Sequence, residues 1–154
     1  MRILAFDPGV HHVGWASLEE GRLMRCGLVR ESKDTPLYVA LGARFDDRDL
    51  AGVEVVIERP QIYKQAQWKG DPNDLIDLAM VAGVLGYLCR RGAVACVRPH
   101  AWKGSAKKTA VHAWIRKRLD AEELAIVDAV DVPPSLRHNV LDAIGIGLWK
   151  AGRL

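Results

Sequence analysis

The order of apolar segments is the strongest constraint on this chain. Three strand-like runs come first, separated only by tight turns. Ile3–Leu4–Ala5–Phe6 stops at Asp7–Pro8–Gly9, Val13 to Leu18 stops at Glu19–Glu20–Gly21, and Leu23 to Val29 is the third. Turns this short join antiparallel neighbours, which predicts an N-terminal meander. The pattern then changes. Thr35 to Phe45 carries Leu37, Val39, Ala40, Leu41 and Ala43, which predicts a helix capped by Thr35 or Asp34 with Pro36 in its first turn. Val53 to Ile57 is short and β-branched, a central strand that ends at Glu58. Pro72 to Arg90 predicts a helix capped by Asp71, with Leu75, Leu78, Ala79, Ala82, Leu85 and Gly86 on one face. Ala93 to Val97 is a further strand. Helices are expected from about Ser105 to Leu119, Ala121 to Val130 and Ser135 to Lys150, with Pro133–Pro134 stopping the second of these.

Strands that alternate with helices need crossover connections, and crossovers make strands parallel. The expected fold is therefore α/β: a five-stranded mixed sheet, with a three-stranded antiparallel meander plus parallel strands, flanked by helices. The 154 residues suit one domain, 1–154, without internal repeats or linkers. Hydrophobic residues make up 49% and charged residues 27%, which excludes a disordered chain. No apolar run approaches the roughly 20 residues that span a bilayer, and no leader-like segment opens the chain. A cytoplasmic protein without a membrane partner is expected. The three cysteines, Cys26, Cys89 and Cys96, include no CxxC pair, so buried reduced thiols are expected rather than disulfides or a zinc site.

Three acidic residues fall at informative places. Asp7 ends the first strand and Glu58 ends the fourth. If those strands are parallel neighbours, both carboxylates emerge on the edge where open α/β sheets bind ligands. Asp142 sits in the last helix, with Asn139 three and His138 four residues before it, spacings that share a helix face. Asp before Pro-Gly is also a common turn former, so Asp7 alone has a structural explanation. Glu58 and Asp142 border apolar runs, where a carboxylate is costly without a cation or donor. Oxygen ligands of this kind suit Mg²⁺.

The net charge of +3 says little, but its distribution is uneven. From Arg98 to Arg118 there is no acidic residue, while Lys103, Lys107 and Lys108 precede or open a helix, a setting suited to phosphate. A solvated charged face is the alternative, and it holds equally for Arg116, Lys117 and Arg118. Lys103-Gly104-Ser105 lacks the upstream glycine of a P-loop. Arg59 follows Glu58 and opens a segment with Tyr63, Lys64, Trp68 and Lys69, which either contacts unpaired bases or packs its aromatics on the fold.

Taken together, Ile3-Leu4-Ala5-Phe6-Asp7-Pro8-Gly9 with Gly14, then Val55-Val56-Ile57-Glu58, then His138-Asn139-Val140-Leu141-Asp142-Ala143-Ile144-Gly145-Ile146-Gly147, resemble the acidic motifs of the RuvC family of Holliday junction resolvases. The resemblance covers nearly the whole chain in the family's order. Its length and Trp102-Lys103-Gly104 are closer to compact, phage-type members. It implies an RNase H-like fold, Mg²⁺ dependence with Mn²⁺ as a substitute, a homodimer, and paired nicks in a four-way DNA junction by two-metal hydrolysis, leaving 5′-phosphate and 3′-hydroxyl ends. It assigns Asp7, Glu58 and Asp142 to the metal site. The family's fourth position is Asp or His, and here it is Asn139. Either Asn139 binds through its amide oxygen, or His138 binds metal or protonates the leaving group. Two other readings are open: a nucleic-acid-binding relative with a weakened site, and an actin-like phosphotransferase, for which the chain is short.

Overall fold

The computed structural model describes residues 1–45, 50–61 and 71–154. The strands are β1 (Arg2–Pro8), β2 (His12–Glu19), β3 (Arg22–Arg30), β4 (Val53–Glu58) and β5 (Ala93–Val97). They form one sheet in the order β3-β2-β1-β4-β5. The first three pair antiparallel, whereas β1, β4 and β5 run parallel, as the segment order requires. The helices are α1 (Leu37–Arg44), α2 (Pro72–Leu88), α3 (Pro99–Lys103), α4 (Lys108–Arg118), α5 (Ala121–Asp128) and α6 (Arg137–Lys150). Among the described residues, no helix is long and apolar enough to cross a membrane.

Alternation along the strands divides the core into two layers. Ile3 and Ala5 of β1, Ala16 and Leu18 of β2 and Val56 of β4 pack with α4, α5 and α6. Leu4 and Phe6, Val13 and Trp15, and Val55 and Ile57 pack on the other face with α1 and α2. The same alternation sends Asp7 and Glu58 to the α6 face, because Asp7 follows the parity of Ala5 and Glu58 that of Val56.

Side-chain caps start two of the helices. Asp71 caps α2, accepting a hydrogen bond from the Asn73 N–H at 2.8 Å. Asp120 and Glu123 form a reciprocal capping box on α5. The expected cap of α1 does not form. Thr35 and Ser32 exchange backbone hydrogen bonds in a turn, and Pro36 takes the cap position without a side-chain bond. The basic helix also begins later than expected. Residues 99–103 form the separate short helix α3, which Gly104 ends at φ +58°, and α4 starts only at Lys108. The cysteines are all free, but only Cys89 is buried. Cys96 is exposed on β5, which among the described residues is an edge strand of the sheet.

Candidate active site

The parallel pairing of β1 and β4 aligns Phe6 with Ile57. Carried one residue further, that register sets Asp7 beside Glu58. Gly14 pairs with Asp7 on the other side. A Cβ at Gly14 would lie 2.1 Å from the Asn139 carbonyl oxygen, so the bare glycine is what lets the start of α6 descend onto the sheet at this point. Asn139 and Asp142 are consequently buried, at 7% and 6% exposure, while His138 is partly exposed. The acidic residues of β1, β4 and α6 thus meet at the C-terminal edge of the parallel strands.

Their electrostatics differ. Burial raises the pKa of Asp7 well above the ordinary carboxylate value, and the charges of Asp142 and Glu58 raise it further, against weaker pulls from Lys103 and Lys108. Among the described residues, none donates a hydrogen bond to its side chain. Asp142 is also pushed up by burial, but a hydrogen bond with His112 and the charges of Lys108 and Lys103 outweigh this and hold it below its ordinary value. His112 Nε2 lies 2.8 Å from Asp142 Oδ1, and Lys108 Nζ lies 3.5 Å from Oδ2. Glu58 receives the indole N–H of Trp102 at 2.5 Å on Oε2, with Lys103 Nζ 3.3 Å from the same oxygen. Burial and the Lys108 charge lower the pKa of His138, whose ring also hydrogen-bonds the Ser135 backbone.

The donor set suits a hard divalent cation: three carboxylates and the Asn139 amide, whose Nδ2 donates to the Leu136 carbonyl at 3.2 Å and leaves Oδ1 for a ligand. Asp7 is the observation that fits a cation best, since burial and two neighbouring carboxylates outweigh the pull of Lys103 and Lys108 on its charge. Among the described residues, no three His, Cys, Asp or Glu side chains already form a closed cluster. Glu58 and Asp142 instead face donors from α3 and α4, Trp102 and Lys103 on Glu58 and His112 and Lys108 on Asp142.

The structure brings together Asp7, Glu58, Asn139, Asp142 and His138. It sets Lys103 and Lys108 directly on Glu58 and Asp142 rather than on an outer face, and leaves Lys107 exposed at the cap of α4. Arg59 is exposed beside the site, where a groove of about 250 Å³ is lined by Pro8, Gly9, Glu58, Arg59 and Pro99. Tyr63, Lys64 and Trp68 lie outside the described residues. Sequence reasoning missed Trp102 and His112. Each occurs singly in its segment, and only the fold reveals a carboxylate opposite.

No protein-family model and no curated protein matches the sequence. Solved structures do match its fold. Thermus thermophilus RuvC, in complex with a Holliday junction substrate, aligns with a TM-score of 0.58 and 21% identity over 96% of this chain and 90% of that one. A second Thermus thermophilus RuvC structure gives 0.59 and 20%, over 96% and 92%. The Fowlpox virus resolvase, complexed with Holliday junction DNA, gives 0.65 and 15%, over 99% and 97%. With carboxylates at the ends of β1 and β4 and on α6, the chain has the RNase H-like fold of the RuvC-type resolvases along essentially its whole length.

Proposed function

We propose that this protein is a structure-selective DNA endonuclease that resolves four-way junctions by metal-assisted phosphodiester hydrolysis. The observation that carries the reading is the convergence of Asp7, Glu58 and Asp142 at one sheet edge, where no described residue donates a hydrogen bond to the buried Asp7 carboxylate. Two similar proteins, Thermus thermophilus RuvC and the Fowlpox virus resolvase, are seen in complex with a Holliday junction. Asp7, Glu58, Asp142 and Asn139 would hold Mg²⁺ or Mn²⁺, which supplies an activated water and stabilises the leaving oxygen, giving 5′-phosphate and 3′-hydroxyl ends. Lys103 and Lys108, now paired with Glu58 and Asp142, are placed to pass to the scissile phosphate once cations take over those carboxylates. His138 is held toward its neutral form, which suits proton exchange with the leaving group. Lys107 and Arg59 extend the positive surface on either side. A second groove of about 660 Å³, lined by Lys103, Trp114, Lys117 and Arg118, continues it along α4.

A two-fold junction needs two active sites, so the functional unit is a homodimer. Helix α2 offers the surface: Ile76, Met80 and Tyr87 are each more than 60% exposed, and Val94 of the edge strand β5 is also exposed.

The test is cleavage of a panel of synthetic branched DNAs with Mg²⁺ and with Mn²⁺. Paired nicks in the four-way junction, absent in Asp7→Asn, are expected. A protein that binds junctions without nicking them under either cation, or that cuts linear duplex equally well, refutes the proposal.

A further inference from the structure

Trp102 touches both halves of the acidic site. Its indole is 5% exposed, a degree of burial at which the ring N–H needs an acceptor. That acceptor is Glu58 Oε2, at 2.5 Å. The other end of the ring rests on α6. A Cβ at Gly145 would lie 2.5 Å from Cζ3 and 3.2 Å from Cη2 of Trp102, so the ring occupies the space the glycine leaves. Gly145 follows Asp142 by three residues, under one helical turn. One rigid side chain therefore spans from the helix that carries Asp142 to the carboxylate that ends β4.

The donor is neutral, which matters. Lys103, 4.7 Å above the Trp102 ring, also reaches Glu58, but its flexible ammonium competes with any cation for the same charge. An indole N–H orients one oxygen without cancelling that charge and leaves further lone pairs open, including those of Oε1, which Lys103 reaches at 3.5 Å. We infer that Trp102 is a positioning residue: wedged against Gly145, it fixes the Glu58 carboxylate relative to Asp142 and so sets the site's affinity for a divalent cation. The inference rests on the proposed metal-dependent nuclease reading.

The test compares Trp102→Phe, which keeps most of the ring and removes the donor, with Gly145→Ala, which displaces the ring without touching a carboxylate. Ile115→Val is the control, since Ile115 packs at the same notch and its side chain has no polar atom to offer a carboxylate. Calorimetric Mn²⁺ titration of the DNA-free protein should show affinity falling by about 10-fold or more in the first two variants, the usual scale for removing an outer partner of a ligand. The control should lose thermal stability only. In ¹H–¹⁵N spectra, the indole resonance missing from Trp102→Phe should shift on Mg²⁺ addition to the wild type and stay fixed in Glu58→Gln. Folded Trp102→Phe and Gly145→Ala proteins with wild-type Mn²⁺ affinity overturn the inference while leaving the nuclease reading intact. A wild type that neither binds Mn²⁺ nor cuts branched DNA overturns both.

Discussion

The two faces of the sheet are built to different tolerances. On one, α6 lies in contact with the strands, and every residue from Asn139 to Leu148 is buried. On the other, α2 is a more apolar helix with three more residues, yet only Leu85 is fully buried. Glycines show the same contrast. A Cβ at Gly14, Gly145 or Gly147 would meet an atom at 2.1, 2.5 or 2.4 Å, whereas Gly83 and Gly86 of α2 have nothing within 4 Å. The proposed metal chemistry would demand close positioning, and the tight face carries the acidic helix. Apolar surface left uncovered on the loose face is where the proposed dimer would form.

The largest effect should come from the tight face. Asp7→Asn is expected to lower junction cleavage about 1,000-fold or more, the scale of losing several kcal/mol of charge stabilisation. The same variant should be more heat-stable than wild type at neutral pH without divalent cations. Because the folded pKa of Asp7 is raised, the native state holds a proton that the unfolded chain has lost. Stability therefore falls as pH rises through that window, and the amide removes the penalty. A lower melting temperature at pH 7 would contradict this electrostatic account.

Next is the anchor at the far end of the tight face. Glu123 is 1% exposed and accepts from Arg153 and from the Leu23 N–H, bonds that hold its pKa down to about 2. Glu123→Ala should cost about 3 kcal/mol or more in chemical denaturation, because it strands a buried donor and a cation. The wild-type contribution should be complete above about pH 4.5 and disappear as pH falls toward 2, since the folded pKa is the depressed one.

Glycine substitutions then compare the faces directly. Gly14→Ala should destabilise by about 1–3 kcal/mol and impair cleavage, because backbone of α6 must move to admit the methyl. Gly83→Ala should stabilise by about 0.5–1 kcal/mol, as an open helical glycine does. If Gly83→Ala instead destabilises, the α2 face is as closely packed as the other and the contrast is wrong. Met80→Glu sharpens the same point in sedimentation: if wild type forms the proposed dimer, the variant should stay monomeric at the same concentration, with melting of the monomer little changed. Identical sedimentation would remove α2 as the dimer surface.

Much of the fold was legible because strand and helix periodicities are local properties. The tight turns after Phe6 and Leu18 imposed the meander, and the segments around 53–57 and 93–97 imposed parallel strands. Asp7 and Glu58 were legible too, since each ends an apolar strand. The α3–α4 connection was not. Its division depends on Gly104 adopting a positive φ, and the roles of Trp102 and His112 depend on what lies opposite them. Lys103 and Lys108 read as a basic stretch, but they pair with carboxylates 45 and 34 positions away in sequence.

By itself, the sequence determined which residues would form the sheet, its mixed polarity, and the face to which Asp7 and Glu58 point, because side-chain alternation follows from backbone geometry alone. Only tertiary structure decided how near α6 comes to that face and which donors reach each carboxylate. Those distances depend on what is absent at Gly14, Gly145 and Gly147, and a missing side chain acquires meaning only from the neighbour that fills its place.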